Sequence, residues 1–353
     1  MAASYFILSL PLLLRANMDR EQEEMQFLGL FGIYKEAYKI IIRWRKIFSQ
    51  ITLALILPLA FIFLAHKEIA NILFWKILHT EFELKKTKAG TRKFHYLTDH
   101  IRSEWITYYV FQAAYLAFVL VFSLLSTSAV VYTIACIYTG RDVTFNKVMS
   151  VVPKVWKRLI VTFLSTFVAF FAYNAVAVLI IILWFIAVWD WESVVAAITF
   201  HVILLTYVVG FVYMTIIWQL ASVVSVLEDT YGFKAMMKSK DLIKGKMLVS
   251  LAIFFKLNFS LVVIQIVFGE HVLHGRWHRE SFGSRFGFGI LCLLLLFKLI
   301  LFGLVVQTII YFVCKSYHHE NIDKSNLSEH LEGYLGDYKP LDAKDVQLEH
   351  YEV

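Results

Sequence analysis

Three histidines near residue 275 have a spacing that could bind a metal ion. His271, His274 and His278 are spaced i, i+3, i+7, so a helix would place them on one face. Gly269 and Gly275 disfavour a helix there, and no cysteine or carboxylate set completes a metal-binding shell. We therefore expect a histidine-rich surface loop, with no metal and no cofactor.

The sequence lacks the patterns typical of an enzyme active site. There is no Gly-x-Ser-x-Gly nucleophile elbow and no Gly-x-x-x-x-Gly-Lys loop to cradle a phosphate. Cys136, Cys292 and Cys314 are too widely spaced for a disulfide framework or a zinc site. All three cysteines could have a structural role in packing. For Cys136 and Cys314, reversible palmitoylation is the alternative. The sequence therefore predicts a non-enzymatic protein.

Polar side chains inside long apolar stretches are candidates for a binding site. Lys256 and Lys298 lie near the centres of two such stretches, where a lysine costs about 2.5–3.5 kcal/mol on insertion scales. Each lysine could bind an anion or solute, or could extend along its helix to a polar neighbour. Asn258, His201 and Asn174 are further intramembrane candidates. No Asp or Glu lies deep in any stretch, which disfavours a proton-coupled pump.

The composition identifies the setting of these side chains as a membrane. Hydrophobic residues make up 59% of the chain and charged residues 17%, and the mean hydropathy is +0.66. A soluble domain has about 45–50% apolar and 25% charged residues. The composition excludes a soluble enzyme and a disordered chain. The net charge of +7 comes from basic residues that flank apolar runs, so we expect no nucleic-acid partner.

Six stretches are long enough to cross a bilayer, which needs about 20 apolar residues in a helix. The predicted fold class is an all-α polytopic membrane protein with six transmembrane helices. A large connection over 66–104 joins the first two spans. The six spans are 47–65, 105–139, 159–189, 193–227, 247–268 and 286–314.

The distribution of basic residues predicts the orientation. Lys and Arg are concentrated on the side that holds both termini, which we therefore expect to be cytosolic. The flipped orientation stays open because 66–104 is itself basic. The chain divides into an N-terminal cytosolic segment (1–26), a membrane domain (27–316) and a flexible acidic cytosolic tail (317–353). Met18 opens an acidic stretch typical of a cytosolic start, so we expect 1–17 to be a gene-model extension or a weak anchor.

The six spans form three repeats, each an amphipathic lead-in helix followed by a transmembrane hairpin. Phe145 aligns with Phe233 and Met149 with Met237, and the first copy begins at Phe27. Helices of this kind lie in the membrane interface with the apolar face down. The basic residues that we expect to contact anionic lipid there are Lys147, Lys154, Lys157, Arg158, Lys234, Lys238, Lys244 and Lys246.

The acidic tail carries a short motif. Tyr338-Lys-Pro-Leu341 has the Tyr-x-x-apolar form of a sorting signal, so a sorting adaptor is a candidate partner. The tail is otherwise poor in residues that could form a packed core.

Several segments resemble a plant family of six-span transmembrane proteins. They are Glu-Glu-Met-Gln-Phe-Leu at 23–28, Ile-Tyr-Lys-Glu-Ala at 33–37, Ser-Val-Val-Ser-Val-Leu-Glu-Asp-Thr-Tyr-Gly at 222–232, Met-Lys-Ser-Lys-Asp-Leu-Ile-Lys-Gly at 237–245, and the tyrosine motif of the tail. The family is similar to the membrane domain attached to some bacterial glycerophosphodiester phosphodiesterases, whose catalytic barrel and metal-binding motifs this chain lacks. The resemblance covers about residues 18–341. It implies the fold and a plant plasma-membrane or endomembrane setting, and it implies no activity.

Two functions fit these features. The first is a non-enzymatic membrane protein that organises or binds lipids, above all anionic lipids, or partner proteins. The alternative is a transporter or channel for a small solute or anion that uses Lys256 and Lys298. An intramembrane lipid enzyme would need an acid, a base and a nucleophile in one pocket, and the scarcity of carboxylates in the spans disfavours it.

Overall fold

The computed structural model describes residues 25–141, 143–188, 193–273 and 281–318. Over these residues the regular structure is helical, without strands. Short π-helical turns lie at Thr52–Ile56 and Gly269–Leu273. The α-helices are α1 (Leu30–Arg43), α2 (Arg45–Ile51), α3 (Leu57–Lys86), α4 (Arg92–Tyr138), α5 (Phe145–Ala187), α6 (Val194–Leu227), α7 (Phe233–Leu242), α8 (Met247–Phe268) and α9 (Phe282–Tyr317).

Six helical segments are long and apolar enough to cross a membrane, which confirms the predicted fold class. They are Arg45–Lys86, Arg92–Tyr138, Phe145–Ala187, Val194–Leu227, Met247–Leu273 and Gly283–Tyr317. Each contains one of the predicted spans or nearly all of it. The first two have 42 and 47 residues. At 1.5 Å per residue they reach roughly 63 and 70 Å, about twice the thickness of the hydrocarbon core.

The connection 66–104 is almost entirely helical. The helix that contains the first span continues to Lys86, and α4 begins at Arg92. The turn between them contains Gly90, which has a φ of 83°. Both helices continue through the charged residues of this connection, because charged residues are compatible with an exposed helix. The turn lies where a glycine permits the left-handed conformation.

The three lead-in segments differ in form. α1 and α7 are separate helices, whereas the second lead-in is continuous with its span in α5, a helix of 43 residues. Gly245 follows α7 with a φ of 87°, and the residue aligned with it in the second copy is Lys157. The glycine allows the left-handed conformation that ends the lead-in, and lysine at the same place continues the helix.

The chain forms two compact units. The Glu228 unit contains Val131–Met247 and the C-terminal segment that begins at Gln307, and the hairpin unit contains Leu30–Val130 and Leu248–Val306. In the Glu228 unit, α7 packs against α5 and α6. In the hairpin unit, a core forms between α3, α8 and α9. Its fully packed members are Ala60, Leu64, Ile264, Phe268, Cys292 and Leu296.

Candidate functional site

The lead-in helix α7 is held at its start by a hydrogen-bonded junction with two spans. The backbone N–H of Gly232 donates to Thr162 Oγ1 at 2.8 Å, and Thr162 Oγ1 lies 2.7 Å from Ser225 Oγ. Gly232 has a φ of 67°, and a Cβ there would lie 3.1 Å from Ser165 Oγ. Both the backbone conformation and the close approach therefore favour glycine at this position.

The two faces of α7 have different surroundings. Ala235, Met236, Ser239 and Leu242 are buried against the protein. On the opposite face Phe233 is 54% exposed and Met237 is 68% exposed. The same face continues through exposed Lys240, which follows at helical spacing, and Lys244 is exposed in the turn after the helix. α7 therefore presents apolar and basic side chains together on its outer surface.

Glu228, directly after α6, fixes the orientation of α7. Its Oε2 lies 2.5 Å from Nζ of Lys238 on α7. Its Oε1 accepts a hydrogen bond of 2.6 Å from the Tyr311 hydroxyl and lies 3.0 Å from Lys315 Nζ, both on α9. Burial alone would raise the pKa of Glu228, but the hydrogen bonds from Lys238 and Tyr311 and the charge of Lys315 hold it below its ordinary value. Glu228 is therefore an ionised structural group.

The turn after α7 contacts the end of α9. A Cβ on Gly245 would clash with the ring of Tyr317, and Lys246 Nζ lies 5.1 Å from the centroid of that ring. His318 Nε2 lies 3.0 Å from the carbonyl oxygens of both Leu242 and Lys244. The last described residues of the chain, Tyr317 and His318, therefore lie beside the last turn of α7.

The eight predicted lipid-contact residues differ in their surroundings. Arg158 contacts Asp229 at 2.9 Å, Lys238 contacts Glu228, and Lys244 Nζ donates to Asp241 at 2.7 Å. The Lys244 contact is exposed and lies in the turn that follows α7. Lys246 is partly exposed beside Tyr317, as described above. The remaining predicted residues, all exposed, are Lys147, Lys154, Lys157 and Lys234.

The second lead-in differs from the expectation of an apolar face directed to the bilayer. Val148, Val152, Val155 and Leu159 from that face are at most 1% exposed, because they pack inside the protein. The fully exposed residues of this segment are mostly polar or basic: Asn146, Lys147, Ser150, Pro153, Lys154 and Lys157. The segment is amphipathic, as its spacing predicts, but the spacing does not distinguish a face that packs on protein from one that packs on lipid.

α1, in the hairpin unit, has the same two-faced character as α7. Ile33, Ala37 and Ile40 are buried, while Phe31 is 82% and Tyr38 64% exposed. The basic residues on and after this helix are also exposed, and they are part of the basic distribution that predicts the orientation. They are Lys35, Lys39, Arg43, Arg45 and Lys46.

The mid-span lysines Lys256 and Lys298 are both exposed in the hairpin unit. Lys256 Nζ lies 4.7 Å from the centroid of the Tyr34 ring on α1. Phe302 contacts the same ring, with centroids 5.4 Å apart. This is the geometry of a cation–π contact, which positions the lysine against the lead-in helix.

The other predicted intramembrane residues bond mainly within helices. Asn258 donates to the Phe254 carbonyl, and His201 Nδ1 lies 2.7 Å from the Ala197 carbonyl of its own helix. Asn174 also bonds to a neighbouring helix, because its Oδ1 accepts a hydrogen bond of 2.9 Å from the Tyr207 hydroxyl. That bond links α5 to α6.

A polar cluster in the hairpin unit was not predicted. His66 Nε2 lies 2.8 Å from Gln112 Oε1, and Lys67 donates to Gln265 at 2.7 Å. Glu68 lies 3.6 Å from Arg285. The signal in the sequence is the His-Lys-Glu triplet that directly follows the first span, but its partners are distant in the chain.

The described residues contain no group of His, Cys, Asp and Glu able to hold a metal ion. The ring of His271 stacks on Phe288, with centroids 4.1 Å apart, while His274 and His278 lie outside the described residues. Cys136, Cys292 and Cys314 are free thiols and are buried, which favours packing over modification. Tyr338 and Leu341 of the tail motif also lie outside the described residues, so the sorting adaptor stays a prediction.

The fold defines an integral membrane protein with six spans. A family model described as a domain of unknown function, DUF8558, matches residues 18–351, and the chain belongs to this family. Neither a curated protein nor a solved structure matches the chain. The plant setting and the similarity to the membrane domain of bacterial glycerophosphodiester phosphodiesterases stay predictions.

Proposed function

We propose that the protein is a non-enzymatic membrane protein that binds anionic lipids of the cytosolic leaflet through its lead-in helices, with α7 as the principal contact. The observation that carries this proposal is the outer face of α7. Phe233 and Met237 are exposed one turn apart, Lys240 continues the same face, and Lys244 is exposed in the turn that follows. Apolar side chains at such a surface insert among acyl chains, and the lysines attract anionic headgroups.

The fixed orientation of α7 supports the same function. The buried face and the contact between Lys238 and Glu228 hold the helix against the spans, so its outer residues need no folding step before they meet a lipid. A pre-ordered surface binds at a lower entropic cost than a segment that folds on binding.

The orientation predicted from the basic residues places α7 on the cytosolic side of a plasma membrane or endomembrane. Anionic lipids give that leaflet a negative surface potential, and each nearby Lys or Arg contributes about 1 kcal/mol of attraction. α1 adds a second basic surface with exposed aromatic residues.

The geometry favours lipid binding over the transporter or channel alternative. Lys256 and Lys298 are both exposed, and Lys256 lies against Tyr34. A solute path would instead require these lysines to face a polar cavity within the bundle.

The test is a lipid titration of the full-length protein in a neutral maltoside detergent, with empty micelles as the reference. Dioctanoyl phosphatidylserine, dioctanoyl phosphatidylcholine and glycerophosphoserine are each titrated, and binding heat is measured. We expect phosphatidylserine to bind most tightly, since phosphatidylcholine lacks the net charge and glycerophosphoserine lacks the acyl chains. Lys234→Gln combined with Lys240→Gln should weaken phosphatidylserine binding by about fivefold per lysine, which corresponds to about 1 kcal/mol each.

The matched control is Lys85→Gln combined with Lys88→Gln, near the turn between α3 and α4. These residues are also exposed lysines, so the control removes the same charge from another surface. Phosphatidylserine affinity should be unchanged in this variant. Equal affinity for the two lipids, or an equal loss in both double variants, would refute the proposal.

A further inference from the structure

We infer that the acidic C-terminal tail, residues 319–353, binds the outer basic face of α7 and competes there with anionic lipid. This inference rests on the proposed function, because it names the regulator of the same surface. The occupant is a segment of this chain, and three observations select it.

The first observation is where the tail begins. His318 Nε2 lies 3.0 Å from the carbonyl oxygens of Leu242 and Lys244, at the C-terminal end of α7. Tyr317 packs on Gly245 and under Lys246. These contacts fix the start of the tail at one end of the basic surface. Carbonyl oxygens at a helix C-terminus are natural acceptors for a histidine N–H.

The second observation is distance. α7 has 10 residues, so it is roughly 15 Å long. An extended chain covers about 3.3 Å per residue, and roughly five residues beyond His318 can therefore span the whole helix. Glu320 and Asp323 lie within that reach.

The third observation is charge. Residues 319–353 contain nine acidic residues and three lysines. The outer surface of α7 and the following turn carries Lys234, Lys240 and Lys244, all exposed. Asp241 offsets part of that charge through Lys244, and Lys234 and Lys240 lie on either side of Met237. Tethering a segment of opposite charge beside such a surface gives it a high effective concentration there.

Competition follows because the same lysines would serve both ligands. A tail carboxylate and a lipid phosphate are alternative anions for Lys234 and Lys240. In a neutral membrane the tail occupies the face, and a membrane rich in anionic lipid displaces it. The lipid surface has the additional contacts of Phe233 and Met237 with acyl chains.

The direct test is carried out in neutral detergent without lipid. A fluorescent peptide of residues 319–353 is titrated with the full-length protein in which Glu320→Gln, Asp323→Asn, Glu329→Gln and Glu332→Gln remove four of the nine negative charges of the resident tail, and anisotropy is measured. We expect saturable binding that weakens at least fivefold in the Lys234→Gln, Lys240→Gln background. It should be unchanged in the Lys85→Gln, Lys88→Gln background. A peptide carrying the same four neutral substitutions serves as the control and should bind more weakly.

The second arm measures competition. Dioctanoyl phosphatidylserine should displace the peptide, and phosphatidylcholine should not. The protein with the four tail substitutions should bind phosphatidylserine more tightly than the wild type. If the peptide fails to bind, or binds equally in the α7 double variant, the tail inference is wrong and the lipid titration still stands. If the peptide binds but phosphatidylserine neither binds the protein nor displaces the peptide, the proposed lipid function is wrong. The inferred competition between tail and lipid is then wrong as well.

Discussion

Tyr311 donates a hydrogen bond of 2.6 Å to the same carboxylate oxygen of Glu228 that lies 3.0 Å from Lys315. The other oxygen of Glu228 is used by Lys238. One carboxylate therefore joins the end of α6 to α9 and to α7. The amphipathic lead-in helix is thus fixed by a charged contact as well as by its buried face.

Replacement of this carboxylate should destabilise the protein. Glu228→Gln keeps the shape of the side chain but removes the charge that compensates Lys238 and Lys315. We expect a loss of about 2 kcal/mol in the free energy of unfolding, in the range of hydrogen bonds to charged groups. Asp229→Asn is the matched control, because Asp229 is 75% exposed in its contact with Arg158 and such pairs contribute about 0–1 kcal/mol. Denaturant unfolding in detergent, followed by tryptophan fluorescence, measures both variants. Equal effects would contradict the role given to Glu228.

The same group makes stability depend on pH in the acid range. The pKa of Glu228 in the folded protein is below its ordinary value, because hydrogen bonds from Lys238 and Tyr311 outweigh the effect of burial. The stabilisation is therefore complete above the ordinary pKa and is lost as the pH falls through the lower, folded value. We expect the difference in melting temperature between wild type and Glu228→Gln to be large at pH 7 and to shrink below about pH 4.5. A difference that stays constant down to pH 3 would count against this assignment.

The sequence predicts the spans well because each needs only a local run of about 20 apolar residues. It could not predict that Glu228 meets Tyr311, since those residues are far apart in the chain and their contact depends on how helices pack. The helical form of 66–104 was also missed. Charged residues are equally typical of a loop and of an exposed helix, and the only strong local signal is Gly90 in the turn. The packing of Val148 and Val155 on protein was missed because an apolar helix face has the same spacing against protein as against lipid.

The hydrogen bond from Tyr207 to Asn174 should contribute modestly to the packing of α5 on α6. Tyr207→Phe removes that bond and leaves the ring, which stacks on Tyr173. Hydrogen bonds between transmembrane helices average about 0.6 kcal/mol, with a maximum near 1.7 kcal/mol. We expect a loss in that range, measured by unfolding in mixed micelles. Asn258→Leu provides the comparison, because the Asn258 side chain bonds to the Phe254 carbonyl of its own helix. If Asn258→Leu lowered the free energy of unfolding more than Tyr207→Phe, the hydrogen bond between α5 and α6 would contribute less to stability than the one within α8, and this prediction would be wrong.

Two glycines with similar backbone conformations should respond differently to alanine. Gly90 has a φ of 83° and nothing within 4 Å of the position of a Cβ, so Gly90→Ala should cost only the left-handed conformation, about 1–2 kcal/mol. Gly245 has a φ of 87°, and a Cβ there would clash with Tyr317. Gly245→Ala should therefore cost more, by about 1–3 kcal/mol, the usual range for overpacking.

The pair of glycine variants separates backbone strain from the contact with Tyr317. In a Tyr317→Ala background, the difference between Gly245→Ala and Gly90→Ala should disappear, because the ring that meets the new methyl group is gone. Melting temperatures of the three single variants, the two double variants and the wild type complete the cycle. If Gly245→Ala stays more damaging without the Tyr317 ring, the turn after α7 is constrained by its own backbone. The end of α9 would then not be what holds the last turn of α7 in place.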